Sequence, residues 1–236
     1  MSEMPKITPL YTTVLFDMDG TLLDLAFDNY IWLQQVPEIW AKQQQVSLDQ
    51  AKAELYEFYL KHQGSLNWYS SQFWQNKLDI DVLSLQYQHQ TRIAARSGCF
   101  ELLQQLKAHN IACWLVTNAD ENTLQLKLNN IPIQQYFDVI VSSETLGYPK
   151  EHQGFRQALQ MQQSFDPEQC LLLDDNYDVL ASAERYGIAK VVSIEQPDSS
   201  HARRSFHPDY LHLAQLSDLL ALIFKQSTPI DSPCLA

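Results

Sequence analysis

The run Thr13-Val14-Leu15-Phe16 is apolar or β-branched at every position and passes without a spacer into Asp17-Met18-Asp19-Gly20-Thr21. A short apolar run with no polar alternation predicts a strand covered on both faces, as in a parallel sheet. The acidic turn then falls at the carboxyl end of that strand, where open α/β sheets bind their ligands.

Working outward, the same strand signal recurs at 111–116, which stops at Thr117-Asn118, at 137–141, at 170–173, which ends in Asp174-Asp175, and at 189–194. Helical spacing fills the intervals 100–109, 121–129, 151–160 and 177–186, the last closed by Gly187. Alternation of this kind predicts an α/β fold, a doubly wound and mainly parallel sheet with helices on both faces. Residues 24–96 have a different texture, rich in glutamine and aromatics. Apolar spacings of three and four predict helices over 26–35, 48–62, 70–77 and 82–95, joined at Val36-Pro37, Gly64-Ser65 and Lys77-Leu78-Asp79. The expected division is an α/β core of residues 1–23 and 97–225, an inserted helical domain of 24–96, and a flexible tail of 226–236. Within the core, 196–208 reads as a loop before a last helix over 211–224.

The formal net charge of −12 argues against binding a nucleic-acid polymer or an anionic membrane surface, both of which demand lysine and arginine. It leaves room for a small phosphorylated substrate, because one cation and a few backbone N–H groups make a local anion site. Cys99, Cys113, Cys170 and Cys234 form no close pair of the zinc or redox kind and read as small buried hydrophobes. The start MSEMPKITPLY lacks a basic and apolar leader, and no run is long enough to span a bilayer. A cytoplasmic protein, acting as a monomer, is expected.

Three strand ends thus carry polar pairs: Asp17 and Asp19, Thr117 and Asn118, Asp174 and Asp175. Parallel strand ends meet along one rim, and four carboxylates gathered there need a cation; an all-oxygen set suits Mg²⁺. Asp17 and Asp19, two apart on an extended segment, point into one cavity while Met18 turns to the core. That pairing suits phosphoryl transfer, with Asp17 as nucleophile and Asp19 protonating the leaving oxygen and later deprotonating water. Gly20 allows a tight turn beside the phosphate. Thr117 and Asn118 offer donors to phosphoryl oxygens, and Lys150 supplies the neutralising cation. Each piece alone reads as a turn, a cap or surface. Their joint placement at successive strand ends favours catalysis.

Asp17-Met18-Asp19-Gly20-Thr21, Thr117-Asn118, Lys150 and Asp174-Asp175 resemble the four motifs of the haloacid dehalogenase-like hydrolases, over residues 11–225. The resemblance implies a Rossmann-like core with an α-helical cap and a phosphatase, since Asp19 stands where true dehalogenases lack an acid/base. It further implies metal ligation by Asp17, the Asp19 carbonyl, Asp174 and Asp175. A closer likeness to the bacterial GMP/IMP nucleotidases of this superfamily runs through 22–30, 66–69, 147–151 and Asn176, although serine is common in relatives at Asn176. That likeness implies GMP or IMP, before AMP, as substrate. Phe27, Tyr30, Trp68 and Tyr69 can stack on a purine while Asn29 and Asn67 read its edge; alternatively the rings pack between cap helices. His201, Arg203, Arg204 and His207 read as a solvated loop, Asp178 as a site neighbour or a helix-start charge, and Asp24 and Asp28 as caps or hinges. A phosphosugar phosphatase or phosphomutase, and a non-catalytic metal and phosphate module, are the competing readings.

Overall fold

The computed structural model describes residues 9–224; the tail expected over 226–236 lies outside the described residues. Six strands, β1 (Thr13–Phe16), β2 (Ala112–Thr117), β3 (Val139–Ser142), β4 (Cys170–Leu173), β5 (Lys190–Ile194) and β6 (Leu211–Leu213), form one sheet in the order β3-β2-β1-β4-β5-β6. Every pairing is parallel. The chain winds outward from β1 to β3, then crosses back to β4 on the other side of β1. Phe16 therefore stands between Leu115 of β2 and Leu173 of β4, and the polar residues that follow these strands share one rim.

Successive strand residues face opposite sides of the sheet, and each side has its own core. Val14, Phe16, Leu115 and Leu171 pack with Leu102, Leu103 and Leu106 of α7 (Cys99–Ala108). Leu15, Trp114, Leu172 and Val191 pack with Phe155 and Leu159 of α10 (Gln153–Gln162) and with Val179, Leu180 and Ala183 of α11 (Tyr177–Tyr186). Between them in sequence lie α8 (Glu121–Asn130) and α9 (Ser143–Leu146), and α12 (Leu219–Ile223) ends the described chain. Helices on both faces make this the doubly wound α/β fold expected.

Between β1 and β2 the chain forms α1 (Ala26–Tyr30), α2 (Val36–Gln44), α3 (Leu48–His62), α4 (Leu66–Tyr69), α5 (Ser71–Leu78) and α6 (Val82–Gln88). The segments entering and leaving this helical insertion run side by side. Asp24 N donates to Ala94 O at 2.9 Å and Arg96 N to Leu22 O at 2.9 Å.

Three local expectations need correction. Val36-Pro37 is no connector, because α1 continues through a π turn, Ile31–Gln35, into α2. In that register the Trp32 carbonyl would face the nitrogen of Pro37, which has no hydrogen to give. The Tyr59 hydroxyl donates to it instead, at 3.2 Å. The helix expected over 82–95 stops at Gln88, and Ala94 and Ala95 serve the extended exit linker. Finally, Leu211–Leu213 is an edge strand rather than the start of a helix, with Leu213 buried and paired to Ile194.

Candidate active site

Asp17 leaves β1 with its N–H donating to Leu173 O at 3.0 Å, which fixes it between β2 and β4. Met18 is fully buried, and its carbonyl accepts from Leu22 N at 2.9 Å and Leu23 N at 2.8 Å, folding the next residues into a compact turn. Gly20 sits in that turn with φ of +81°, and a Cβ there would lie 2.7 Å from Asp175 Oδ2. The glycine admits the Asp175 side chain; it does not line the cavity.

Lys150 is 2% exposed and its ammonium donates to Asp17 Oδ1 at 2.5 Å and Asp174 Oδ2 at 2.7 Å. Burial would lower its pKa, but the two carboxylates raise it above the ordinary lysine value. Asp17 is raised well above a normal carboxyl by burial, opposed by Lys150 and reinforced by Asp174, Asp175 and Asp19. Asp175 is pushed up to about 7, by burial first and by Asp174 next, against the pull of Arg204 and Lys150. One oxygen from each of Asp17, Asp174 and Asp175 lies within 4.8 Å of the others. Three crowded carboxylates, of which Asp17 and Asp175 resist ionisation, with no imidazole or thiolate among them, fit a hard divalent cation such as Mg²⁺. The Asp19 carboxylate is not part of this triad. It turns toward Lys127, whose Nζ is 2.6 Å from its Oδ1.

Thr117 is buried at the end of β2, with its hydroxyl accepting from Ala119 N at 3.0 Å. The Asn118 amide largely serves the protein. Its Oδ1 accepts from Lys150 N at 2.9 Å and its Nδ2 donates to Glu151 Oε2 at 3.0 Å, so it orders the turn that presents Lys150. Glu151 also accepts from Asn176 Nδ2 at 3.2 Å and from the Tyr69 hydroxyl of the helical insertion.

From this rim rises a cavity of about 620 Å³. Its upper wall is aromatic: Trp32, Tyr59, Trp68 and Trp74 meet edge to face at centroid distances between 5.2 and 6.1 Å. These rings pack on each other and also line the cavity. Asn29 and Tyr69 line it as well, though Asn29 Nδ2 is engaged by Asp198 Oδ2. Tyr30 and Asn67 do not. The Tyr30 ring is taken up by His89, at 5.1 Å, and by the Arg92 guanidinium, at 3.9 Å, while Asn67 is exposed on the short helix α4. Phe27 is buried in the core.

A family profile described as haloacid dehalogenase-like hydrolase matches residues 14–193. The chain belongs to this family. Over 206 residues the hydrolase is 35% identical to the GMP/IMP nucleotidase YrfG of Escherichia coli (strain K12), a match covering 85% of this chain and 93% of that protein. It is 21% identical over 215 residues to the pyrophosphatase PpaX of Oceanobacillus iheyensis, covering 89% and 96%. Among solved structures, a HAD phosphatase from Thermococcus onnurineus superposes with a TM-score of 0.74 at 21% identity, over 88% of this chain and 95% of that one. Among the described residues, no helix of the hydrolase is long and apolar enough to cross a membrane.

Several residues of this site were not singled out for it in sequence. Lys127 is one, although it follows Leu124 by three and Thr123 by four and so falls on the buried face of α8. Arg204, read as part of a solvated loop, instead donates to Asp175 O at 2.6 Å and Ser193 Oγ at 2.6 Å. Arg156 is 2% exposed and donates to Lys150 O at 2.7 Å, bracing the lysine turn from behind. Asp178 lines the cavity, and Asp24, just ahead of α1, accepts from Ala26 N at 2.9 Å.

Proposed function

We propose that this hydrolase cleaves phosphate monoesters with Mg²⁺, through an aspartyl phosphate on Asp17, and that its substrate is a purine nucleoside 5′-monophosphate, GMP or IMP before AMP. The observation that carries the reading is the union, in one cavity, of the Asp17–Lys150–Asp174 cluster with an aromatic wall. The cluster suits a phosphate, and the wall suits the flat face of a base. The likeness to a GMP/IMP nucleotidase over 85% of the chain supports the same class.

In this reading a carboxylate oxygen of Asp17 attacks phosphorus, forming the Asp17 O–P bond as the bond to the ester oxygen breaks. Asp19 gives its proton to the departing alkoxide, then takes one from the water that attacks the phosphorus of the intermediate. Phosphate leaves and Asp17 is restored. Lys150 and Thr117 hold the phosphoryl oxygens, and Asn118 with Arg156 keeps Lys150 aimed at them. Asp17, Asp174, Asp175 and the Asp19 carbonyl would hold Mg²⁺, which supplies positive charge against the phosphoryl oxygens and keeps Asp17 ionised. The helical insertion acts as a cap that excludes water and reads the leaving group. A site built for a 6-oxo purine leaves donors or acceptors unpaired with adenine, at about 1–3 kcal/mol each.

The test is kcat/KM for GMP, IMP, AMP, pyrimidine monophosphates, sugar phosphates and pyrophosphate, each with and without Mg²⁺. GMP and IMP are expected to lead, with activity dependent on Mg²⁺ and abolished by Asp17→Asn. A sugar phosphate ahead of every purine nucleotide would overturn the substrate; turnover surviving Asp17→Asn would overturn the mechanism.

A further inference from the structure

Lys127 lies on α8 of the core and is 1% exposed. Its ammonium donates to both carboxylate oxygens of Asp28, at 2.7 and 2.9 Å, and stands 2.6 Å from Asp19 Oδ1. With Asp19 it forms a close ion pair, while its recorded hydrogen bonds go to Asp28. Asp28 belongs to α1, the first helix of the insertion, whereas Lys127 and Asp19 belong to the core. All three line the cavity that holds Asp17.

A buried ammonium needs a counter-charge, and one carboxylate would satisfy that demand. Two converge here, and the one that takes the aligned hydrogen bonds arrives on the cap. Asp28 thereby anchors the ammonium, which pairs with the buried Oδ1 and so draws the Asp19 carboxyl to one orientation. The other carboxyl oxygen, Oδ2, is left on the cavity side to carry the proton.

Resting on the reading of Asp19 as acid and base, we propose that Lys127 is a positioning residue for Asp19, set in place by Asp28 when the cap closes. Acid catalysis is thereby tied to closure: with the cap lifted, the ammonium loses both oxygens of Asp28 and its hold on Asp19 slackens. Reacting groups displaced by about 1 Å lose on the order of 10²-fold in rate, so loss of such a hold is measurable.

The test compares two substrates of similar size, benzyl phosphate, whose alkoxide must be protonated, and p-nitrophenyl phosphate, whose phenolate leaves without a proton. The ratio kcat/KM covers steps through transfer to Asp17, so hydrolysis of the intermediate does not enter. In the full chain, Asp28→Asn and Lys127→Met are expected to lower kcat/KM for benzyl phosphate about tenfold or more, and for p-nitrophenyl phosphate by less than about threefold. Asp19→Asn is the reference and is expected to show the same selectivity more strongly. Equal losses on both esters in Asp28→Asn, with Asp19→Asn selective, would overturn the positioning role and leave the acid/base assignment standing. Equal losses in Asp19→Asn itself would overturn that assignment and the positioning role with it. Should Lys127→Met fail to fold, the isosteric Asp28→Asn, its fold checked by circular dichroism, decides alone.

Discussion

A methyl group added at Gly20 would sit 2.7 Å from Asp175 Oδ2 and 2.8 Å from its Cγ, in a backbone with φ of +81°. Two costs are combined there, left-handed strain and displacement of a carboxylate. Gly64 separates them, because it has φ of +74° and nothing within 4 Å. Thermal melts should show Gly20→Ala and Gly64→Ala each losing about 1–2 kcal/mol from the backbone. Only Gly20→Ala should also lose activity, by about tenfold or more as Asp175 shifts; equal activity in the two variants would refute this account. The same contrast shows what a sequence reveals at this scale. Asp17, Thr117 and Asp174 were legible as rim residues because each stands at or just past the end of a strand, and Lys150 because it follows β3 by a short stretch of chain. Lys127 and Asp28 were not, since they meet across 99 residues and their pairing depends on how the helical insertion packs on the core.

Among the elements, the loop between β5 and β6 ties the linkers of the helical insertion to the core. Pro197 O accepts from Leu25 N at 3.1 Å and from Arg96 at 3.2 Å, and Ser199 N donates to Asp24 Oδ1 at 3.1 Å. Asp198 binds Asn29 of α1 and is 6% exposed. Burial alone would raise its pKa, but donors from Ser200, Asn29 and His201 lower it to about 2. Its stabilising contribution is therefore present above the ordinary aspartate pKa and is lost as pH falls through about 2. The gap in Tm between wild type and Asp198→Asn should be widest above pH 4 and close toward pH 2; a gap that widens on acidification would contradict the assignment. Five of the six strands were legible as apolar runs. β6 was not, because Leu211–Leu213 is too short to show alternation and abuts a helix-like run of leucines. The turn around Pro37 was equally hidden, since the bond that rescues the Trp32 carbonyl comes from Tyr59 on another helix.

For the molecule as a whole, Cys99, Cys113 and Cys170 lie in the packed interior on either side of the sheet, and burial pushes each thiol up to about 12. They should report global opening only. Peptide mass mapping after iodoacetamide treatment should find these three unmodified in the native protein and fully modified in denaturant; native labelling of any one would show a sub-global opening through its side of the sheet. The strand order has a consequence for how the protein is made. β1 is central, yet one of its neighbours, β4, begins at Cys170. At ribosomal rates, the gap between synthesis of the two is on the order of ten seconds. Through that interval a nascent chain carries an apolar strand with a bare edge, while the whole helical insertion is synthesised beyond it. Such an edge is a template for another chain. Overexpression, by crowding unfinished chains together, should punish this topology more than one whose central strand is made last.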